Sequence, residues 1–215
     1  RSKFTLSRFE PCEALRPFIE HYWIVRYAVP ADEPYTQRIL SYPNVHMAFE
    51  HDDDGRRALI YGVPRRPFER VLRGEGRTLG VKFRAGGFLP YWRSDVAGLT
   101  GKTIPAAGLF GPDVARWMDA VLDAGDDEAM AARAEAFLLE RVPGPDAQAG
   151  LAARIVDLAM RDRSIVRVEQ LCGETGLSVR RLQRLFQRYV GVTPKWVIRR
   201  FRLQEAAERI ERDAA

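Results

Sequence analysis

The sequence predicts an α+β protein: a β-rich N-terminal barrel or sandwich, a helical hairpin, and then an all-α helix-turn-helix unit. Three observations carry this. Short β-branched and aromatic runs alternate with turn-rich pieces over the first 83 residues. Apolar residues at helical spacing take over from Gly111. From Ser164 onward, two short helical stretches meet at Gly176, with a dense row of arginines beyond it.

At 215 residues and 46% apolar content the chain is long enough for a sizeable core and two domains. The spacing divides it into a β-rich part (1–110), a helical hairpin (111–142), a linker (143–147) and the helix-turn-helix subdomain with its following helix (148–215). No apolar run is long enough to span a bilayer, and R-S-K-F-T-L-S-R-F lacks the apolar centre of a secretion signal. We expect no membrane partner and a soluble, cytoplasmic protein. Cys12 and Cys172 stand far apart outside any ligand-spaced pair, so neither a disulfide nor a zinc framework is expected. Cys172 reads as a small buried helix residue.

The β-rich part begins with a helical candidate from Cys12 to about Glu20. Strand-like runs follow at H-Y-W-I-V-R-Y-A-V, R-I-L-S-Y, N-V-H-M-A-F-E, A-L-I-Y-G-V, F-E-R-V-L and T-L-G-V-K-F, parted by P-A-D-E-P, D-D-D-G, P-R-R-P and R-G-E-G-R. Helices do not alternate with them, which favours an antiparallel arrangement. R-A-G-G-F-L-P-Y-W then reads as a glycine-bearing bend. Val114, Trp117, Met118, Val121 and Leu122 make one helical stripe, and Met130, Ala134, Phe137 and Leu138 a second. This hairpin packs on the β-rich part or forms a dimer interface. P-G-P at Pro143 to Pro145 breaks the pattern, and a helix with Leu151, Ile155, Leu158 and Ala159 on one face opens the last unit.

In that unit Val168, Leu171 and Cys172 stripe a first short helix, and Gly176 supplies the left-handed turn residue. Ser178 is the N-cap of the second helix, whose apolar stripe is Leu182, Leu185, Phe186 and Tyr189. Arg180, Gln183, Arg184, Gln187 and Arg188 fall on the opposite face. Gly191 ends this helix and Thr193-Pro194 starts another. No acidic residue occurs between Ser178 and Gln204, while Arg180, Arg181, Arg184, Arg188, Lys195, Arg199, Arg200 and Arg202 are basic. Like charges four apart on a helix repel, so a one-signed face needs an anionic partner. From Leu151 onward there are 14 Lys/Arg and 8 Asp/Glu, a balance of +6, against 34 − 14 = 20 and 29 − 8 = 21 before it. The basic footprint is therefore confined to the C-terminal part. Double-stranded DNA fits best, because a helix enters the major groove and arginine and glutamine pair there with guanine and adenine edges.

The stretch from about Gln148 to Ile210 resembles the first half of the DNA-binding domain of the AraC/XylS family of bacterial transcription regulators. The residues that carry the resemblance are L-S-V-R-R-L-Q-R-L-F, Y-V-G-V-T-P and K-W-V-I-R-R-F-R-L-Q-E-A-A-E-R-I. It implies that Arg180, Gln183 and Arg184 face the bases and that Arg181, Arg188, Lys195 and Arg199 hold phosphates. The family's domain carries two such motifs joined by a long helix, and this sequence reaches Ala215 near the end of that helix. A chain continued past Ala215 is therefore expected to bind its operator more tightly than these 215 residues. G-V-K-F-R-A-G-G-F and L-F-G resemble N-terminal domains of unassigned function that precede such readers and look like reduced cupin-like barrels. The resemblance thus implies an effector-sensing β-rich domain, a possible small-molecule effector, homodimerisation, and association with the nucleoid when bound.

Tyr22, Trp23, Tyr42, His46 and Tyr61 are the candidate ligand-binding residues, with Tyr91 and Trp92 as further aromatics able to line a pocket. Core packing is the competing explanation for each. His46 and Glu50 would share a strand face beside His51, but a second ligand motif is missing and His21 is the only other histidine. We expect no metal, no cofactor and no catalytic residues. A metal-dependent cupin-like enzyme with a basic accessory tail is the first alternative, and it would need His46, Glu50 and a metal. Repair enzymes with an AraC-like half need clustered cysteines, which two isolated ones do not supply. A protein-interaction module is the second alternative, and it would show no preference among DNA sequences.

Overall fold

Alternation of buried and exposed side chains sets the architecture of the computed structural model, which describes residues 4–30, 32–39, 42–66 and 68–213. Among these residues the strands are β1 (Phe4–Phe9), β2 (Ile19–Val29), β3 (Tyr35–Ile39), β4 (His46–Asp52), β5 (Gly55–Tyr61), β6 (Phe68–Leu72), β7 (Gly74–Phe83) and β8 (Thr103–Pro105). Six of them make an antiparallel sheet in the order β1-β2-β7-β4-β5-β8, and β3 pairs with β6 in a separate ladder. The class is α+β as expected. The sheet does not close into a barrel, because among the described residues its edges β1 and β8 do not pair with each other and β3 and β6 are spent on each other.

Period-two alternation gives the sheet two different faces. Tyr22, Ile24, Met47, Phe49, Ile60, Leu79 and Val81 are buried on one of them. α3 (Val114–Leu122) and α4 (Asp127–Leu139) cover that face, with the rings of Phe49 and Phe137 edge to face at 6.0 Å. Arginines on the sheet grip the hairpin: Arg26 reaches Asp127 at 2.6 Å, and Arg56 reaches Asp119 at 2.9 Å and Asp123 at 2.6 Å. The hairpin therefore packs on the sheet. The opposite face carries Trp23, His46 and Glu50 and is approached by the β3–β6 ladder, where Tyr27, Val29 and Leu72 form a small second cluster.

Several local expectations shift. The helix expected from Cys12 to Glu20 is replaced by successive tight turns, with the N–H groups of Leu15 and Arg16 donating to the Cys12 carbonyl and those of Phe18 and Ile19 to the Leu15 carbonyl. Pro17 lacks an N–H and disfavours helical geometry at Arg16, so the helix cannot propagate. The R-I-L-S-Y strand begins earlier, at Tyr35, and positions 40 and 41 lie outside the described residues. β1, β8 and the short helices α1 (Leu89–Trp92) and α2 (Ala107–Phe110) have too little periodicity to be anticipated.

The C-terminal part consists of α5 (Ala147–Arg161), α6 (Val168–Thr175), α7 (Val179–Leu185) prolonged by a π-helical turn at Phe186–Val190, and α8 (Pro194–Asp213). The buried stripe of α5 is Ala149, Ala152, Ile155, Val156 and Ala159, rotated from the expected one, so that Leu151 and Leu158 are only half-buried at its margins. Small alanines face inward because the β-rich part approaches closely. At Gly86 an added Cβ would lie 2.9 Å from the Ala149 carbonyl oxygen and 3.0 Å from the Ala152 Cβ. Thr100 donates a hydrogen bond to the Gly191 carbonyl, and the rings of Tyr42 and Phe201 lie 6.4 Å apart. The β-rich part and the helix-turn-helix thus share one continuous apolar core.

Candidate nucleic-acid interface

The turn between α6 and α7 is built locally. The Gln170 side chain accepts from the N–H groups of Val166 (3.0 Å) and Arg167 (2.9 Å), which satisfies two donors at the start of α6. Leu171 is fully buried beneath it, while Val168 and Cys172 are half-buried against the core. Cys172 is thus less enclosed than expected, and burial followed by the charge of Glu169 raises its thiol above the usual value. Gly176 ends α6 at φ +65°, in the left-handed region where a Cβ is costly. Ser178 then caps α7, its Oγ accepting from the Arg181 N–H at 3.3 Å.

Beyond the turn, Leu182, Leu185, Phe186 and Tyr189 are all buried, as their spacing predicts. The Tyr189 hydroxyl donates to Asp146 at 3.1 Å, and Asp146 also accepts from Gln148 N–H at the start of α5. One carboxylate therefore joins the π-helical end of α7 to the first helix of the unit. The Gly191 N–H bonds back five residues to the Phe186 carbonyl at 2.8 Å. Thr193 opens α8 by accepting from the Trp196 N–H at 3.2 Å.

This scaffold leaves Arg180, Arg181, Gln183, Arg184, Gln187 and Arg188 exposed along α7 and its π-helical extension, with Lys195 and Arg199 exposed on α8. Among the described residues none of these cations has a carboxylate within 4.0 Å. Gln187 belongs with Gln183 and Arg184 on the open face. It follows Gln183 by four residues, and the helical spacing puts both on one face as expected. Arg202 departs from the expected basic array. Its guanidinium donates to the carbonyls of Ala159 (2.9 Å) and Asp162 (3.1 Å), closing the C-terminus of α5. A groove of about 540 Å³ runs beside α7, bounded by Arg181, Arg184 and Arg188, by Gln148 and Leu151 of α5, and by Asp95 from the β-rich part.

The candidate ligand residues divide between the two sheet faces. Tyr22 is 1% exposed on the helix-covered face, and its hydroxyl lies 3.5 Å from Glu135, so it does not join the others. His46 and Tyr61 are cross-strand partners on the opposite face. The Trp23 indole donates to His46 Nδ1 at 3.2 Å, so the neutral imidazole carries its proton on Nε2. Burial, then the charges of Lys82 and His21, push His46 down to about 3. Tyr42 stands under the Lys82 ammonium at 4.6 Å. Tyr91 is buried among Phe18, Phe83 and Phe110, and Trp92 stacks on Phe88, so both pack the core.

Glu50 is 1% exposed and fully engaged. Its oxygens accept from Arg70 (2.8 and 2.9 Å), Arg57 (2.8 Å) and the Tyr61 hydroxyl (2.7 Å). Burial opposes its ionisation, but the bonds from Arg70 and Tyr61 and the charge of Arg57 outweigh this and hold the carboxyl below its ordinary value. The carboxylate that a metal-site reading would need is thus bound to two guanidiniums. Among the described residues no group of three or more His, Cys, Asp or Glu stands together as a metal-ligand set. No helix among them is long and apolar enough to cross a membrane.

Residues 7–105 match a protein family described as a domain of unknown function, DUF6597, which is less than half of the chain. Among curated proteins, none matches the sequence. A solved structure described as the AraC-like transcriptional activator CuxR aligns over 96% of this chain and 88% of its own at 16% identity, with a TM-score of 0.28. An overlap this loose carries no statement about function.

Proposed function

We propose that this chain is a sequence-specific, double-stranded-DNA-binding transcription regulator of the AraC type. The single observation that supports it most is the open face of α7. Arg180, Gln183, Arg184 and Gln187 stand exposed, ahead of a capped and buried helix-turn-helix, with no carboxylate paired to the arginines among the described residues. In this reading α7 enters the major groove, with Arg180, Gln183 and Arg184 on base edges. Arg181, Arg188, Lys195 and Arg199 hold phosphates and set the register. The β-rich, reduced cupin-like part receives a small-molecule effector or a second copy of the chain, and its ligand residues are Trp23, Tyr42, His46 and Tyr61. An effector shifts the reader only by preferring one arrangement of the two parts over another, and the shared core at Gly86, Thr100 and Tyr42 supports such coupling. The chain acts as a cytoplasmic regulator without a resident cofactor, not as an enzyme.

The test is to pass fragmented bacterial genomic DNA over the immobilised protein at moderate salt and sequence what is retained. A recurring sequence motif among the retained fragments is expected. Salt-sensitive retention with no motif would reduce α7 to a general anion grip and reopen the protein-interaction reading.

A further inference from the structure

Asp95 is an acid in a groove edged by cations. It belongs to the β-rich part and immediately precedes a 3-10 turn at Val96–Leu99, yet it lines the same groove as Arg181, Arg184 and Arg188. Its carboxylate is not spent on structure. It makes no cap hydrogen bond to the turn that follows, and among the described residues it forms no ion pair. Its position is set from behind: Val96 is fully buried, with its Cγ1 3.0 Å from where a Gly191 Cβ would stand, and Thr100 donates to the Gly191 carbonyl. Asp95 is thereby pinned to the end of the reading helix by long-range packing.

We propose that Asp95 is an electrostatic brake on DNA binding, through which the β-rich part directly lowers the affinity of the reader. This rests on the DNA reading above and names how that same site is regulated. A phosphate held by Arg181 or Arg188 would share one groove with Asp95, and salt screens charges only beyond about 8 Å at physiological ionic strength. The carboxylate repels that phosphate and weakens the attraction of the arginines for it. Any rearrangement that lifts the Val96–Thr100 segment off Gly191 carries the acid away and releases the brake. The coupling needs no change in α7 itself.

The experiment measures binding of the whole chain to a fluorescent duplex of arbitrary sequence between about 50 and 200 mM salt. Wild type is compared with Asp95→Asn, Asp95→Arg and Asp54→Asn, the last removing the same charge from the exposed β4–β5 turn. Asp95→Asn is expected to bind about 2- to 5-fold tighter. Asp95→Arg is expected to bind about tenfold tighter, with a slope of log affinity against log salt steeper by about 0.9. Asp54→Asn should match wild type. Asp95 variants that match wild type, or an Asp54→Asn gain equal to that of Asp95→Asn, would overturn the brake and leave only bulk charge. If no form retains the duplex even at the lowest salt, the DNA reading itself falls, and the brake with it.

Discussion

The arginines of the β-rich part and those of α7 have opposite fates. Arg57 and Arg70 converge on the buried Glu50 and on Asp52, and Arg26 and Arg56 clasp the helical hairpin. Arg180, Arg184 and Arg188 are exposed and without a carboxylate partner among the described residues. The same side chain is structural where an acid lies across a strand or helix contact, and available for a ligand where the surrounding sequence has none. Arg202 shows that position within the basic stretch is not enough, since backbone carbonyls from α5 claim it.

The difference can be tested by removing one arginine from each region. Arg70→Ala should have the largest effect. It leaves a nearly fully buried carboxylate without its two-pronged partner, which costs about 3–5 kcal/mol of stability in a urea melt. Where the variant remains folded, its DNA affinity should be unchanged; loss of affinity without loss of stability would blur the distinction between the regions.

Acid sharpens the same contrast. Glu50 and Asp52 have lowered pKa values in the folded chain, so their stabilisation is complete above the ordinary values of 4.5 and 3.8 and disappears as pH falls through the folded ones. For Asp52 the hydrogen bond from Arg57 is the largest cause and outweighs burial. His46 acts in the same direction from higher pH. Its folded value of about 3 lies below its ordinary 6.5, so the unfolded chain takes up a proton that the folded chain refuses, and stability declines as pH falls from 6.5 towards 3. Melting temperature against pH should therefore fall in two stages, and His46→Gln should shrink the upper one, leaving the part contributed by His21, whose imidazole burial and the Lys82 charge also hold below 6.5. A flat profile between pH 6.5 and 5 would contradict an imidazole held neutral in the folded chain.

On α7 the expected effects are smaller and concern DNA rather than folding. Arg184→Ala or Gln183→Ala should reduce discrimination between the selected motif and its single-base variants by about 1–3 kcal/mol, while the melt stays within about 0.5 kcal/mol of wild type. Arg188→Ala should weaken all duplexes alike and flatten the salt slope by about 0.9. Identical behaviour of the two kinds of variant would erase the division into base-facing and phosphate-facing residues. Ser178→Ala should have the mildest effect, about 1 kcal/mol of stability from the lost cap, visible in a thermal melt and absent from sequence preference.

Much of α7 was legible in the sequence, and much of the β-rich part was not. Gly176, Ser178, Leu182, Leu185, Phe186 and Tyr189 all occupy their expected backbone or burial states, because a cap or a stripe depends on residues three or four positions away. The Cys12–Glu20 helix fails for an equally local reason: Pro17 has no N–H to donate and restricts Arg16. The stripe of α5 is rotated because its partner is the glycine bend at Gly86, far away in the sequence, whose close approach admits Ala152 and not the larger Leu151. For the candidate ligand set, Tyr22 and Trp23 are consecutive in β2 and so point to opposite faces whatever its pairing, and only the packing of α3 and α4 decides that the face of Tyr22 is the covered one.

By itself, the sequence determined that a β-rich part precedes helices, that a helix-turn-helix lies around Gly176, and that its second helix presents one sign of charge. These follow from short-range steric, capping and solvation preferences, which every few residues satisfy or violate on their own. Only the tertiary structure decided the strand order, the open sheet, the burial of Glu50 between Arg57 and Arg70, the diversion of Arg202, and the placement of Asp95 beside the arginines of α7. Each of these joins residues far apart along the chain. Many sequence-compatible pairings compete for such contacts, and which one forms is settled by the packing of all of them together rather than by any local pattern.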